Sequence, residues 1–218
     1  MKILGICGSP RGKNSQTKIL LIKFLDSCRE KGVETEIIDL SEYKVGFCLA
    51  CEICHKKPDC PIKDDRNIIV EKMLNSDGIV FASPVYIDSV SAQLKALFDR
   101  TSHFIHCQRL IGKYTCGIVT SGSGKGEMVL EYIKHYSNTI GAQYTGGINI
   151  KVPLKEKDFE EAVKLANDFI DSIKEKRKFK EQMEIIEKNK EYFKNLVLKR
   201  KEEWTYEYEY WLNFNPLF

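Results

Sequence analysis

The sequence predicts an α/β fold, a doubly wound and mostly parallel sheet of five strands with helices on both faces. Five short apolar runs alternate with longer amphipathic stretches, and the glycine-rich segments fall where the runs end. Alternation of this kind produces parallel strands whose two faces are both covered. Right-handed crossovers then leave a three-layer sheet as the economical topology. With 218 residues, 43% of them hydrophobic, the chain is long enough for one sizeable core and too apolar to be disordered by composition.

The first run, residues 3–7, reads as a buried strand, with a helix over about 15–30. Between them stands Gly8-Ser9-Pro10-Arg11-Gly12-Lys13-Asn14-Ser15. This loop is neither a dinucleotide fingerprint nor a P-loop, since no Gly-Lys-Ser/Thr ends it. Its inventory still suits an anion. Ser9, Ser15 and Thr17 offer hydroxyls, Asn14 an amide, Arg11 a guanidinium, and the helix start free N–H groups. A phosphate monoester fits that set; a polar turn capped by Asn14 or Ser15 is the plainer alternative.

The second strand, 35–40, leads into a cysteine-rich insertion before a helix at about 66–75. Cys48, Cys51, Cys54 and Cys60 crowd into 13 residues. Two-residue gaps let one tight loop turn successive thiolates toward a common point, and soft thiolates select iron-sulfur clusters, zinc or copper. Three cysteines at this spacing plus one followed by Pro61 resemble the ferredoxin type of [4Fe-4S] ligation. Structural zinc and a metal-free thiol loop are the alternatives. Cys7, Cys107 and Cys116 read as small core fillers. His55 reads as a surface residue, and His103, His106 and His135 form no evident constellation.

The third strand, 78–83, runs into Ser83-Pro84-Val85-Tyr86 and a helix near 91–104. Pro84 restrains the backbone and Tyr86 offers a flat face at the sheet edge that carries the first loop, where a planar heterocycle could lie. The fourth strand, 114–120, ends in Ser121-Gly122-Ser123-Gly124, which supplies flexible backbone donors before a helix at 127–139. A weak strand at 143–150 and a helix at 156–174 complete the repeat.

Residues 1–175 thus form one domain, with the cysteine loop at about 47–62. Residues 176–218 form an extension, helical and then aromatic. Trp204, Tyr206, Tyr208, Tyr210, Trp211, Phe214 and Phe218 suit an oligomer interface or the rim of a site, with cover for the chain's own domain as the alternative. The formal net charge is +3; residues 171–203 carry 11 basic and 8 acidic side chains, so the rest balances at 23 against 23. No global basic field points to nucleic acid. The chain opens directly on a strand, without an apolar run that could span a membrane or act as a signal, which places it in the reducing cytoplasm.

Gly5 to Ser9 with Pro10-Arg11, the compact cysteine run, and Ser83-Pro84-Val85-Tyr86 with Gln93-Leu94-Lys95-Ala96-Leu97-Phe98-Asp99-Arg100 together resemble the iron-sulfur flavoproteins of anaerobic archaea and bacteria. That group lies within the NAD(P)H-dependent FMN reductase branch of flavodoxin-like proteins, and the resemblance covers about residues 1–175. It implies a flavodoxin-like sheet of order 2-1-3-4-5 and non-covalent FMN. Ser9, Arg11, Asn14, Ser15 and Thr17 would surround the phosphate. Pro84, Val85 and Tyr86 would lie beside the ribityl chain and ring, with Ser121, Gly122, Ser123 and Gly124 closing another side. It also implies a [4Fe-4S] cluster near the interface of a homodimer or homotetramer and close to flavin.

The implied activity is electron transfer between a one-electron carrier such as ferredoxin and a two-electron acceptor, with no residue marked as acid or base. NAD(P)H stays open as a donor. A cluster-free NAD(P)H-dependent FMN or quinone reductase is the alternative reading, and a non-enzymatic, metal-sensing module a third.

Overall fold

In the computed structural model, which describes residues 1–214, five parallel strands form one sheet. They are β1 (Lys2–Cys7), β2 (Glu34–Asp39), β3 (Gly78–Pro84), β4 (Tyr114–Ser121) and β5 (Gln143–Lys151), in the order β2-β1-β3-β4-β5. This is the flavodoxin-like order. The pleat divides the side chains between two cores. Ile3, Cys7, Val80, Ala82, Cys116 and Ile118 pack under α1 (Gln16–Glu30) and α6 (Glu156–Lys174). Leu4, Ile6, Ile79, Phe81 and Val119 pack under α2 (Arg66–Leu74), α3 (Ala92–Asp99), α4 (His103–Cys107) and α5 (Glu127–Thr139).

One helix departs from the sequence expectation. The stretch 91–104 divides into α3 and α4, because Arg100 and Thr101 both turn inward and are buried. Thr101 Oγ1 donates to Phe98 O at 2.8 Å and pairs with the Tyr136 hydroxyl at 2.6 Å, while Arg100 reaches an acid on the cysteine insertion.

The extension folds back on its own chain. α7 (Lys180–Lys199) lies across α4 and α5, and α8 (Thr205–Leu212) lies against α4, α7 and the helical turn at Ile53–His55 in the cysteine insertion. Gln182 anchors α7 to the edge strand: its Oε1 accepts from Tyr144 N at 2.7 Å and its Nε2 donates to Tyr144 O at 2.8 Å. A side-chain amide thereby occupies backbone groups that a foreign strand could otherwise pair with. Phe218 lies outside the described residues. Among those residues, no helix is long and apolar enough to cross a membrane.

Gly78 opens β3 where α6 crosses it, and a Cβ there would stand 2.7 Å from Phe169 and Ile173 side-chain atoms. Gly78→Ala is therefore expected to cost about 1–3 kcal/mol through overpacking. Urea unfolding measures it, and an unchanged midpoint would show that α6 sits less tightly than described.

Candidate functional site

Two recesses collect the residues singled out by the sequence, and they share no lining residue. The smaller, about 90 Å³, opens at the carboxyl ends of β1, β3 and β4, where doubly wound sheets hold ligands. Ser9, Arg11, Thr17, Pro84, Val85, Tyr86, Ser121 and Gly122 line it, together with Gln16, Thr120 and Val152. Asn14, Ser15, Ser123 and Gly124 stand just outside. Ser15 is buried and works as the α1 N-cap, its Oγ accepting from Lys18 N at 3.0 Å. Gly124 N donates to Ser121 Oγ at 2.8 Å, which closes the third loop on itself.

Local chemistry holds this cradle open. Ser91 Oγ donates to Gly8 O at 2.5 Å and Ser91 N donates to Ser83 Oγ at 2.9 Å, so the first and second loops are tied at their bases. The Thr17 and Thr120 hydroxyls pair at 2.6 Å across the floor. Among the described residues, the N–H groups of Gln16 and Thr17 at the start of α1 carry no internal hydrogen bond. Free N–H groups at a helix start are what an anion takes up.

Tyr86 stands at the mouth, 39% exposed. Tyr86 and Ser89 exchange two backbone hydrogen bonds of 3.1 Å around Ile87 and Asp88, whose φ angles are +48° and +54°. This turn ordinarily uses Asn-Gly or Gly-Gly, and a β-branched residue at positive φ is strained. Strain of this kind concentrates at ligand sites. Nothing in the bare sequence of the loop signalled it.

The larger recess, about 610 Å³, is lined by all four cysteines of the insertion together with residues of α3, α4 and α5, among them Phe98, Arg100, Ile105, Tyr132 and His135. Left-handed residues on either side of Cys51, Ala50 at φ +50° and Glu52 at +59°, turn the chain so that Cys48, Cys51 and Cys54 face one space. No disulfide joins the cysteines. A single zinc ion with sulfur at about 2.3 Å would draw its thiolates to within about 4 Å of one another. Among the described residues, the ligand trio gathered within 4.8 Å is His55, His106 and Glu207, and no three of the cysteines form one. Four soft thiolates lining one recess of this size suit an iron-sulfur cluster by ligand type and by room. Without a metal, burial and then the negative charges of Glu207 and Cys60 push the Cys54 thiol up to about 11, so the thiol form prevails.

The base of this loop is clamped by a buried ion pair. Arg100 and Asp64 are 1% and 2% exposed, and the fork is bidentate, with Nη1 to Oδ2 at 2.8 Å and Nη2 to Oδ1 at 3.2 Å. Asp64 also accepts from Gly46 N and Arg66 N, and Arg100 donates to Gly46 O at 2.9 Å. Both ends of the insertion are thus fastened to the end of α3. Burial pushes the Asp64 carboxyl upward, but the Arg100 bond and the two N–H donors outweigh it and hold it below the ordinary carboxylate range.

The histidines differ from the sequence reading. His55 is not a surface residue: it packs on both His106 and Trp204, with ring centroids 5.0 and 4.5 Å away, and those two rings also stack on each other at 4.8 Å. Its Nδ1 donates to Glu207 at 2.7 Å, and His106 Nδ1 donates to the other oxygen at 3.0 Å. Each Nδ1 donates to its own carboxylate oxygen, so this is a hydrogen-bonded carboxylate pinning α8 to the loop. Glu207 is fully buried and lies 152 positions from His55, and no local pattern announces it. His103 is buried against Arg66, and burial first, then that charge, pushes its imidazole down to about 2.

The chain matches the model of the NADPH-dependent FMN reductase family over residues 1–155. It is 45% identical over 101 residues to an iron-sulfur flavoprotein of Methanocaldococcus jannaschii, covering 46% of this chain and about half, 52%, of that protein's length. With an iron-sulfur flavoprotein of Archaeoglobus fulgidus it shares 32% identity over 200 residues, 85% of this chain and 98% of that one. The solved structure of an oxidised flavodoxin from Bacillus cereus superposes with a TM-score of 0.58 at 15% identity, over 78% of this chain and 98% of the other, a likeness of fold alone.

Asp64→Asn would leave Arg100 buried without its counter-charge, an expected loss of about 3–5 kcal/mol in urea unfolding. Because the Asp64 carboxyl is held below its ordinary value, its contribution is fully present above that value and is lost only as the pH falls below it. A loss under about 1 kcal/mol would show that the loop base does not depend on this pair.

Proposed function

The chain belongs to the NADPH-dependent FMN reductase family and, within it, to the iron-sulfur flavoproteins; from that premise we propose that it passes electrons between a one-electron carrier such as ferredoxin and a two-electron acceptor. Its cofactors are FMN and an iron-sulfur cluster, here assigned as [4Fe-4S] on Cys48, Cys51, Cys54 and Cys60. The observation that carries the reading is the convergence of those four cysteines on one recess, separate from a phosphate-sized cradle at the sheet edge. When bound, FMN supplies one- and two-electron chemistry and the cluster one-electron chemistry.

The chain's own residues position these groups. The open N–H groups of Gln16 and Thr17, with Ser9 and Arg11, suit the phosphate, and Pro84, Val85 and Tyr86 offer an apolar and flat wall for the ring. Asn14, Ser15, Ser123 and Gly124 shape the loops from behind. No carboxylate or imidazole lines the cradle among the described residues, so its task is binding and orientation rather than proton transfer.

The placement of the two recesses bears on assembly. α5 starts beside the Ser121 loop, and its second half lines the cysteine recess, so the recesses lie roughly 10–20 Å apart along that helix at 1.5 Å per residue. Electron transfer slows steeply with distance. A homodimer or homotetramer that brings the cluster of one chain to the flavin of another answers this separation.

Protein purified without oxygen is expected to carry near four irons, four sulfides and one FMN per chain, and to be reduced by reduced ferredoxin. One FMN without iron or sulfide, together with strong NADPH turnover, would instead indicate a cluster-free flavin reductase. Cys54→Ala should lose iron and sulfide while keeping FMN. Arg11→Ala should weaken FMN binding roughly tenfold, about 1.5 kcal/mol for a charge-assisted contact, and titration of the apoprotein measures it; unchanged affinity removes Arg11 from the site.

A further inference from the structure

We propose that Arg66 is the buried counter-charge of the cluster and sets its reduction potential, an inference that rests on the cluster assignment above. Arg66 is the first residue of α2 and is 2% exposed, the largest of the fully buried side chains. Its guanidinium hydrogen-bonds only to neutral groups. Nε donates to Arg100 O at 3.0 Å, Nη1 to Asn67 Oδ1 at 2.9 Å, and Nη2 lies 3.1 Å from both ring nitrogens of His103. Among the described residues, no carboxylate makes an ion pair with it. Asp65, its neighbour in sequence, accepts from Lys44 N at 2.7 Å, and Asp64 spends both oxygens on Arg100 and takes from Arg66 only the backbone N–H.

A buried, unpaired cation is costly, and proteins keep one only opposite a negative charge. Arg66 Nε donates to the carbonyl of Arg100, which lines the cysteine recess, and the negative groups that act on Arg66 are Cys60 first, then Cys54, two of the four ligands, and after them Asp59. Four thiolates around a cubane leave a net negative charge that grows by one unit on reduction. A fixed cation behind two of the ligands therefore favours the reduced form and raises the potential. Arg100 contributes on the same side. Its charge is matched by Asp64, but its Nε is buried without a hydrogen-bond partner, and its side chain interacts with Cys60. Its positive charge, which acts on Cys60, works in the same sense as the Arg66 charge.

The test is a redox titration of the intact, cluster-containing protein followed by electron paramagnetic resonance, with iron and sulfide measured on the same samples. In Arg66→Gln, which keeps hydrogen-bonding capacity but not charge, the equilibrium constant for cluster reduction should fall at least tenfold, a shift of 59 mV or more to negative potential. Arg66→Lys should restore most of it. Asn67→Asp supplies the guanidinium with a carboxylate at the existing Nη1 contact, from a residue that does not line the recess, and should also lower the potential. That variant decides the matter if Arg66→Gln fails to fold. Equilibrium constants for reduction within twofold of wild type, a shift under about 18 mV, in both charge-changing variants, with iron and sulfide retained, overturn the assignment. A shift in Arg66→Lys as large as in Arg66→Gln overturns the role of charge. Wild-type protein without iron and sulfide overturns the cluster reading, and this inference with it.

Discussion

The ion pair of Asp64 and Arg100 is the interaction on which the cysteine recess depends. The insertion after β2 has almost no regular structure, and a loop of that length gains little from its own contacts. One bidentate fork, dry on both sides, joins its returning strand to the end of α3 and catches Gly46 on the way. The cost of burying both charges is offset by five hydrogen bonds, four to the carboxylate and one from Arg100 Nη1 to Gly46 O. The same fork breaks the helix after Asp99, and the break lets α4 turn so that Ile105 and His106 reach the recess and the extension.

The cradle at the sheet edge is stabilised by a different principle. It uses what parallel sheets provide without extra cost, three strand ends and a helix start with open N–H groups. Short polar side chains then tie the loops: Ser91 to Gly8, Ser83 to Ser91, Thr17 to Thr120. The strained Ile87–Asp88 turn is the exception, and it lies where a flat ligand would meet Tyr86. One recess is thus preformed by topology, the other by a buried charge pair. The two recesses share no lining residue, which is why assembly enters the proposed function.

The extension links the two ends of the chain at the cysteine loop. Glu207 takes one hydrogen bond from the loop and one from α4, under a stack of His55, Trp204, His106 and Phe193. Burial pushes the Glu207 carboxyl upward, and the bonds from His106 and His55 outweigh it, leaving it below the ordinary range and ionised. A buried carboxylate in this position adds negative charge near Cys54, which sharpens the need for the arginines on the other side.

The sequence by itself determined the doubly wound sheet, because apolar periodicity and strand–helix alternation are local properties that burial on two faces leaves in the residue pattern. It likewise marked the anion loop and the cysteine run, whose chemistry is carried by neighbours in the chain: Ser9 to Thr17, and Cys48 to Cys60. The break between α3 and α4 was not legible, since it follows from Arg100 finding Asp64 across 36 positions. Neither was the true environment of His55, whose partners are Trp204 and Glu207 about 150 positions away. Nor does any local pattern mark Arg66 as a side chain that the fold would bury without an ion-pair partner. The tertiary structure alone decided these features, because the energy of a charge or a ring is set by what surrounds it in space, and short-range sequence spacing carries no record of that surrounding.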